Sequence, residues 1–285
     1  MVVLVTGGRG FLGRHTLAAL SGEGVDGISA GRPDIEVPSD AFDRLLRSRS
    51  PSVVVHCAGP SSVQASVARP ADDYAGSIGT TQRLVEALSR LAETPKLVLV
   101  SSAAVYGNPT RLPIAEDHPT APISPYGQHR LEVERLVRSS GLPHVVARVF
   151  SAYGEGLRRQ VLWDVAMKGR SGAVELWGTG NESRDFIHVE DVGRALVRLC
   201  MMEWHAGEVV NVASGQETTI AELAQRLLDA LDLSAPLSFV GVEREGDPLR
   251  WQADVSRLRS SGWRQEIALD AGIARYARWL ASDVQ

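Results

Sequence analysis

The sequence predicts an α/β fold with a doubly wound parallel sheet and a smaller C-terminal α/β lobe. Three observations support this prediction. Short apolar, β-branched runs alternate with helical patterns through the first half of the chain. A glycine-rich turn joins the first strand to the first helix. Pro51, Pro95 and Pro143 each precede a later strand, where a fixed φ and a missing N–H do little harm.

The elements of the first half follow from these patterns in order. Strands are predicted at 2–6, 25–30, 52–57, 96–101 and 144–149, and helices near 11–21, 39–48, 73–92 and 126–140. Alternating βα units with short apolar strands form a parallel sheet that is covered by helices on both faces. Such sheets bind ligands beyond the carboxyl ends of their strands.

After about residue 150 the alternation loosens, and glycines and turn residues accumulate at 169–183. Strands near 185–188 and 208–212 and helices at 190–203, 219–231 and 267–281 follow. We therefore expect a dinucleotide-binding domain over 1–165, completed by a strand and a helix within 185–215. Residues 166–285 are expected to form mainly a lobe that covers the substrate.

The glycine-rich turn at 6–13, TGGRGFLG, is built to hold a pyrophosphate. Gly7 allows the tight turn, Gly10 lets the backbone approach the phosphates, and Gly13 lets the helix pack close to the strand. The free N–H groups of that helix face the anion. Glycines also make plain turns, but the strand before and the helix after favour a Rossmann dinucleotide site. The expected cofactor contacts in this turn are Gly7, Arg9, Gly10, Phe11, Leu12 and Gly13.

The end of the second strand indicates which dinucleotide binds. An acidic residue there would accept hydrogen bonds from the ribose 2′-OH, but the segment carries Arg32 instead. Because Arg32 and Arg9 could pair with a 2′-phosphate, the sequence favours NADP, with NAD possible. Four more expected cofactor contacts are Glu36 and Val37 beside the adenine, and Ala58 and Gly59 under the dinucleotide.

Hydride chemistry is indicated by two further segments. Ser101 and Ser102 end the fourth strand, where a binding site is expected. Tyr126 starts a helix, and Arg130 lies four residues on, on the same helical face. A nearby cation would favour the tyrosine phenolate, which could then accept a proton from a hydroxyl group as hydride leaves. For Tyr126 taken alone, the favoured interpretation is a helix N-terminal aromatic with a structural role.

Composition excludes several other classes. The 285 residues are 44% hydrophobic and 22% charged, which is ordinary for a globular protein. A net charge of −4 argues against nucleic acid as a partner. Two cysteines, Cys57 and Cys200, are too few for a disulfide framework or a zinc site, and we expect no bound metal. Because Met1 leads directly into the first strand and no apolar run reaches about 18 residues, we expect a cytoplasmic protein with no membrane partner.

Taken together, the motifs resemble the extended short-chain dehydrogenase/reductase family, in its nucleotide-sugar epimerase/dehydratase/reductase group. The segments that carry the resemblance are 6–13, 101–107, 124–130, 178–189 and 244–247. It implies a catalytic set of Ser102, Tyr126 and Arg130, with Ser101, Tyr126 and Arg130 also against the cofactor. It further implies substrate contacts from Ser102, Ala103, Ser151, Arg184 and Arg244, the two arginines holding the diphosphate of a nucleotide sugar.

The chain departs from the family pattern at several positions. Arg130 replaces the usual lysine, keeping the charge but not the ammonium's contact with the nicotinamide ribose. Ser77 and Ser151 stand where the family commonly has asparagine. Ala103 and Ala104 replace the acid pair of the 4,6-dehydratases, which argues against dehydration.

Two reactions remain that need only Ser102, Tyr126 and the nicotinamide. The preferred hypothesis is a nucleotide-sugar 4-epimerase, and the alternative is an NADPH-dependent 4-ketoreductase of a 4-keto nucleotide sugar. A non-catalytic, dinucleotide-sensing protein stays open as a third. Of the histidines, His56 and His188 are expected to pack and His129 to point off the catalytic face. The resemblance also implies a homodimer through helices 73–92 and 126–140.

Overall fold

The computed structural model describes residues 1–31, 39–242, 244 and 246–283. Its central sheet has six strands, all parallel, in the order β2-β1-β3-β4-β5-β9. These strands are β1 (Val2–Thr6), β2 (Asp26–Ala30), β3 (Val53–His56), β4 (Lys96–Ser102), β5 (His144–Val149) and β9 (Glu208–Val212). The first five agree closely with the predicted strands; four of them are short buried runs of mostly apolar residues, whereas β2 is largely exposed.

The strand order reverses between β1 and β3, since β2 lies on one side of β1 and the rest of the sheet on the other. Thr6 and His56 end these two strands and are paired in register. Open parallel sheets bind ligands outside the carboxyl ends of the strands at such a switch point. The topology therefore places the glycine-rich turn after Thr6 at the point where a site is expected.

Helices cover both faces of the sheet and form two separate cores. On one face lie α1 (Phe11–Gly22) and α8 (Val189–Met201). On the other lie α2 (Asp40–Arg49), α5 (Thr80–Ser89) and α6 (Pro125–Ser139). Alternate residues of each strand face opposite cores, so Val3 and Val5 pack with α1 and α8, while Leu4 packs on the other face.

The predicted helix 73–92 is in fact broken. The helices α3 (Val63–Ala68) and α4 (Pro70–Tyr74) precede a π-helical turn, Ala75–Gly79, which leads into α5. A Cβ at Gly76 would lie 2.8 Å from the ring of Pro60, so the turn packs more closely than a regular helical residue would allow. The apolar positions Leu84, Leu88 and Val133 are fully buried in the core, and they provide no exposed apolar face for a dimer.

The C-terminal lobe has two small sheets. One is β10-β8-β6, from β6 (Ser151–Tyr153), β8 (Ser183–His188) and β10 (Glu217–Thr219); the other pairs β7 (Val174–Leu176) with β11 (Leu237–Phe239). The lobe helices are α7 (Gln160–Arg170), α9 (Ile220–Ala230) and α11 (Leu269–Asp283), whereas the short α10 (Ser256–Ser260) packs Leu258 into the core of the central sheet. The three-residue strands were not predicted, since so short a run carries no periodic pattern. A domain boundary after residue 165 would cut α7, whose Val165 and Ala166 share the lobe core.

Within the described ranges, no helix is long and apolar enough to cross a bilayer. Both cysteines are free thiols.

Candidate active site

A cleft of about 730 Å³ opens at the carboxyl ends of the parallel strands, between the sheet and the C-terminal lobe. It brings together residues from segments far apart in the sequence. The predicted site residues that line it are Gly7, Gly10, Phe11, Leu12, Gly13, Gly59, Ser101, Ser102, Tyr126, Arg130, Ser151, Arg184 and Arg244.

Three of the predicted contacts do not line the cleft. Ala103 is fully buried in an apolar cluster with Val105 and Tyr106, so its side chain cannot reach a substrate. Arg9 is exposed, and Ala58 packs under Gly7 instead of facing the cleft. The predicted cofactor contacts Arg32, Glu36 and Val37 lie outside the described residues.

The glycine-rich turn has the geometry that a pyrophosphate requires. Gly7 has a φ of +67°, and a Cβ there would lie 2.9 Å from the backbone of Ala58. A Cβ at Gly13 would lie 2.2 Å from the carbonyl oxygen of Gly7, so only glycine lets α1 approach the strand. Gly10 precedes α1 with no side-chain cap, which leaves the first N–H groups of the helix to a ligand. The turn therefore fits a dinucleotide.

Local contacts fix Tyr126 at the start of α6. Ser124 caps the helix by accepting a hydrogen bond from Gly127 N at 3.2 Å, and Tyr126 N donates to Ser66 Oγ at 3.0 Å. Ser102 ends β4, where its Oγ accepts from Ala104 N at 3.2 Å. The hydroxyl proton of Ser102 is not used in that bond, so it can be donated into the cleft.

Arg130 lies beneath Tyr126 at the base of the cleft. Its guanidinium carbon is 5.2 Å from the centroid of the Tyr126 ring, and its Nη2 donates to the carbonyl oxygen of Pro60. The residue is only 7% exposed, and among the described residues its Nε has no acceptor. A Cβ at Gly59 would lie 3.1 Å from Nη2, so glycine there makes room for the longer side chain that replaces lysine.

His56 supports this region from the core and stays neutral. Thr81 Oγ1 donates to Ser77 O at 2.8 Å, so it accepts from His56 Nε2 at 3.1 Å. His56 Nδ1 then accepts from Thr6 Oγ1 at 2.7 Å. Burial, helped by the nearby Arg130 charge, lowers the pKa of His56 to about 3. The expectation of a satisfied core histidine agrees with these contacts.

Glu134 is a buried residue that the sequence analysis missed. Its carboxylate accepts from Arg148 Nη2 at 2.7 Å and Nε at 3.0 Å, and from Ser101 Oγ at 2.5 Å. The hydroxyl of Ser101 is therefore bound to Glu134, although the residue lines the cleft. Glu134 lies four residues after Arg130, so the helical spacing that linked Tyr126 to Arg130 could have identified it.

The lobe supplies the charged end of the cleft. Arg184 stacks over the Trp251 ring at 5.5 Å, and burial lowers its pKa to about 10, which leaves it charged at neutral pH. Burial raises the pKa of Asp247, and the charges of Arg184 and Arg244 partly oppose that rise. Trp177, 57% exposed, lines the same end and was not singled out from the sequence.

Residues 3–213 match the family described as NAD dependent epimerase/dehydratase, which is more than half of the chain. This chain belongs to that family. The match covers both the glycine-rich turn and the Ser102–Tyr126–Arg130 set, and so confirms the resemblance stated from the motifs.

Relatives that match over nearly their whole length support the same family assignment for this epimerase/dehydratase family member. The UDP-glucose 4-epimerase of Azospirillum brasilense is 32% identical over 96% of this chain and 90% of its own length. The solved structure of MoeE5 in complex with UDP-glucuronic acid and NAD has a TM-score of 0.90 at 27% identity, covering 100% of both chains. The UDP-glucose 4-epimerase of Thermus thermophilus, in complex with NAD, has a TM-score of 0.88 at 25% identity, also with full coverage. The predicted fold class is confirmed, as is the prediction that the chain is an enzyme.

The two other histidines considered from the sequence, His129 and His188, lie in structural contacts. His129 Nδ1 is 2.6 Å from Asp73 Oδ2 on α4, away from Tyr126. His188 caps α8 and lies 2.9 Å from Glu155. Among the described residues, Glu155, His188 and Glu190 alone are grouped closely enough for a metal ion. Arg275 donates to both Glu155 and Glu190, so the negative charge of this group is already balanced by a guanidinium.

Proposed function

We propose that this chain is a nucleotide-sugar 4-epimerase that oxidises the sugar at C4 and reduces it again from the other face. The observation that carries the proposal is the meeting of Ser102, Tyr126 and the glycine-rich turn in one cleft. The positions of the dehydratase acid pair hold Ala103 and Ala104, which are buried and carry no acid or base. The catalytic set as described therefore supports proton transfer at a single hydroxyl group.

Tyr126 is proposed as the group that takes the proton from the C4 hydroxyl and later returns it. Arg130 lies against its ring, and a fixed positive charge there stabilises the phenolate without being able to donate a proton itself. Ser102 holds the reacting oxygen through its free hydroxyl proton. The glycine-rich turn would hold the nicotinamide dinucleotide, which would supply reversible hydride transfer at C4.

For the cofactor we propose NAD, held at the glycine-rich turn and the N-terminus of α1. The solved relatives named above contain NAD, and the expectation of NADP depended on Arg32, which lies outside the described residues. Arg130 Nε is a buried donor with no acceptor among the residues that the structure describes, and a ribose hydroxyl could satisfy it.

For the substrate we propose a UDP-hexose, with its diphosphate at Arg184 and Arg244. Forked guanidinium donors suit a diphosphate, and both arginines line the lobe end of the cleft. The exposed ring of Trp177 offers a flat apolar surface for the base. The relatives named above act on or bind UDP-sugars, which supports uridine as the nucleoside.

Substitution of Tyr126 by Phe tests the proposal. Loss of the phenolic hydroxyl should lower the turnover of UDP-hexose 4-epimerisation at least ~10²-fold, because the proton has no other acceptor. The matched control is Tyr74→Phe, an exposed tyrosine on α4 that lies outside the cleft. Near-normal turnover in Tyr126→Phe would contradict the mechanism.

The nucleotide released from the purified protein separates epimerase from ketoreductase. Near-stoichiometric NAD, identified by mass spectrometry, means a cofactor recycled in place, as an epimerase needs. An empty protein that binds NADPH reversibly and reduces a 4-keto sugar nucleotide would replace the proposal with the ketoreductase. Dinucleotide binding with no hydride transfer to any nucleotide sugar would favour the sensor.

The homodimer and the cytoplasmic location stay predictions. Light scattering on the purified protein would give the mass of the assembly directly.

A further inference from the structure

We propose that Arg159 selects nucleotide sugars whose hexose carries a carboxylate, which makes a nucleoside-diphosphate hexuronic acid the preferred substrate. The inference rests on the 4-epimerase proposed above and adds the class of sugar to it. It is carried by the position of Arg159 in the cleft, by the hydroxyl group it contacts, and by the lack of a carboxylate partner for it in the described part of the chain.

Arg159 reaches across the cleft from the lobe to the sheet. It immediately precedes α7, lines the cleft, and donates from Nη2 to Ser61 Oγ at 2.9 Å. Ser61 follows Pro60, whose carbonyl oxygen binds Arg130, and Arg130 stacks on Tyr126. Arg159 and Tyr126 thus line the same cleft and are linked through Ser61, Pro60 and Arg130, which makes the sugar the part of the substrate that Arg159 is proposed to meet.

The acidic side chains that line the cleft are engaged elsewhere. Glu182 accepts hydrogen bonds from the backbone N–H groups of Thr179 and Gly180, at 2.9 and 3.0 Å. Asp164 and Asp247 are both partly balanced by the charge of Arg244 at the nucleotide end. Over the described part of the chain, the contact to Ser61 is the one polar contact of the Arg159 side chain, and no carboxylate lies within 4 Å of it.

The diphosphate does not need Arg159, because Arg184 and Arg244 are assigned to it. An anion opposite Arg159 would therefore belong to the sugar. Ser61 Oγ accepts from Arg159, so its own hydroxyl proton is available for a second hydrogen bond. The Arg159 guanidinium and the Ser61 hydroxyl group can each donate a hydrogen bond to one oxygen of a carboxylate. A neutral hydroxymethyl group has no charge to pair with the guanidinium and no second oxygen to accept from it.

The test compares kcat/KM for UDP-glucuronic acid and for UDP-glucose in the wild-type enzyme and in Arg159→Gln. The wild type should favour UDP-glucuronic acid about tenfold or more, as expected for a charge-assisted pair. Arg159→Gln should lose roughly 10- to 100-fold with the uronic acid, mainly through KM, and change little with UDP-glucose. Arg158→Gln removes the neighbouring charge, which lies over the Trp279 ring, and should leave the ratio of the two substrates unchanged.

Several outcomes would overturn the inference. Equal losses with both sugars in Arg159→Gln would assign Arg159 to the diphosphate. A wild-type preference for UDP-glucose would remove the uronic acid while leaving the 4-epimerase proposal intact. If neither nucleotide sugar is epimerised, the proposed function fails. The Kd values of UDP-glucuronic acid and UDP-glucose, measured by calorimetry in the wild type and in Arg159→Gln, would still show whether Arg159 recognises the carboxylate.

Discussion

At the residue scale, Arg130 shows how a substitution can keep a charge and change its contacts. The guanidinium carbon lies 5.2 Å from the centre of the Tyr126 ring and Nη2 donates to the carbonyl oxygen of Pro60, whereas lysine would place a compact ammonium there instead of a planar fork. Room for it comes from Gly59, whose φ of +135° no L side chain readily adopts. The replacement is thus matched by its surroundings, and an Arg130→Lys variant would not restore a family arrangement by itself.

His56 carries a pH prediction at the same scale. Its pKa is lowered by burial to about 3, so below about pH 6.5 the unfolded chain binds a proton that the folded chain does not. The free energy of unfolding should therefore fall as pH falls, by about 2 kcal/mol between pH 7 and pH 5 from this group. Urea unfolding at the two pH values measures it.

The comparison is between His56→Asn and the exposed control His205→Gln. The first variant should be less stable at both pH values but should lose this part of the pH dependence, whereas the control should keep it. An unchanged pH dependence in His56→Asn would mean that His56 binds its proton equally well in the folded and unfolded chains.

At the element scale, α6 organises the end of the sheet that faces the cleft through residues on one face of the helix. Tyr126, Arg130 and Glu134 are spaced four residues apart, so they lie on one face. Glu134 ties that face to β4 through Ser101 and to β5 through Arg148. The register of Tyr126 against Ser102 is therefore held by a buried ion pair and not only by the cap at Ser124.

Breaking this ion pair should be costly. Glu134→Gln leaves Arg148 buried without its counter-charge and should lower the free energy of unfolding by about 3 kcal/mol or more, measured by urea unfolding. Replacing both partners by apolar residues, Glu134→Leu with Arg148→Met, should cost less than the single change. Asp26→Asn in the exposed Asp26–Arg49 pair should cost less than about 1 kcal/mol. A Glu134→Gln variant as stable as this control would contradict the assignment.

At the scale of the whole molecule, a charged cluster joins the last helix to the rest of the chain. Arg275 on α11 donates to Glu155 at 2.8 Å and to Glu190 on α8 at 3.1 Å. Arg14 on α1 donates to the carbonyl oxygen of Glu155 at 3.1 Å. Burial opposes ionisation of Glu155, but hydrogen bonds from His188 and Arg275 outweigh it and lower its pKa to about 2. Through Glu155, the cluster thus fixes the start of the segment 155–159, which contributes residues to the cleft and leads into α7.

Arg275→Gln should lower the free energy of unfolding by about 1–2 kcal/mol, because two partly buried carboxylates lose charge-assisted hydrogen bonds. Thermal and urea unfolding would measure the change. Arg226→Gln, which breaks the exposed Arg226–Asp270 pair on neighbouring helices, should have an effect near zero. Equal effects in the two variants would show that the cluster adds nothing beyond a surface ion pair.

By itself the sequence determined the parallel sheet, the glycine-rich turn and the pairing of Tyr126 with Arg130. Each of these depends on local periodicity or on residues only a few positions apart in the chain. The tertiary structure alone decided the broken helix around Gly76, the burial of Ala103, and the meeting of Arg159 with Ser61. It also decided the partners of Glu134 and Arg275, which come from other strands and helices. Such contacts depend on how elements pack in space, and no spacing along the chain encodes them.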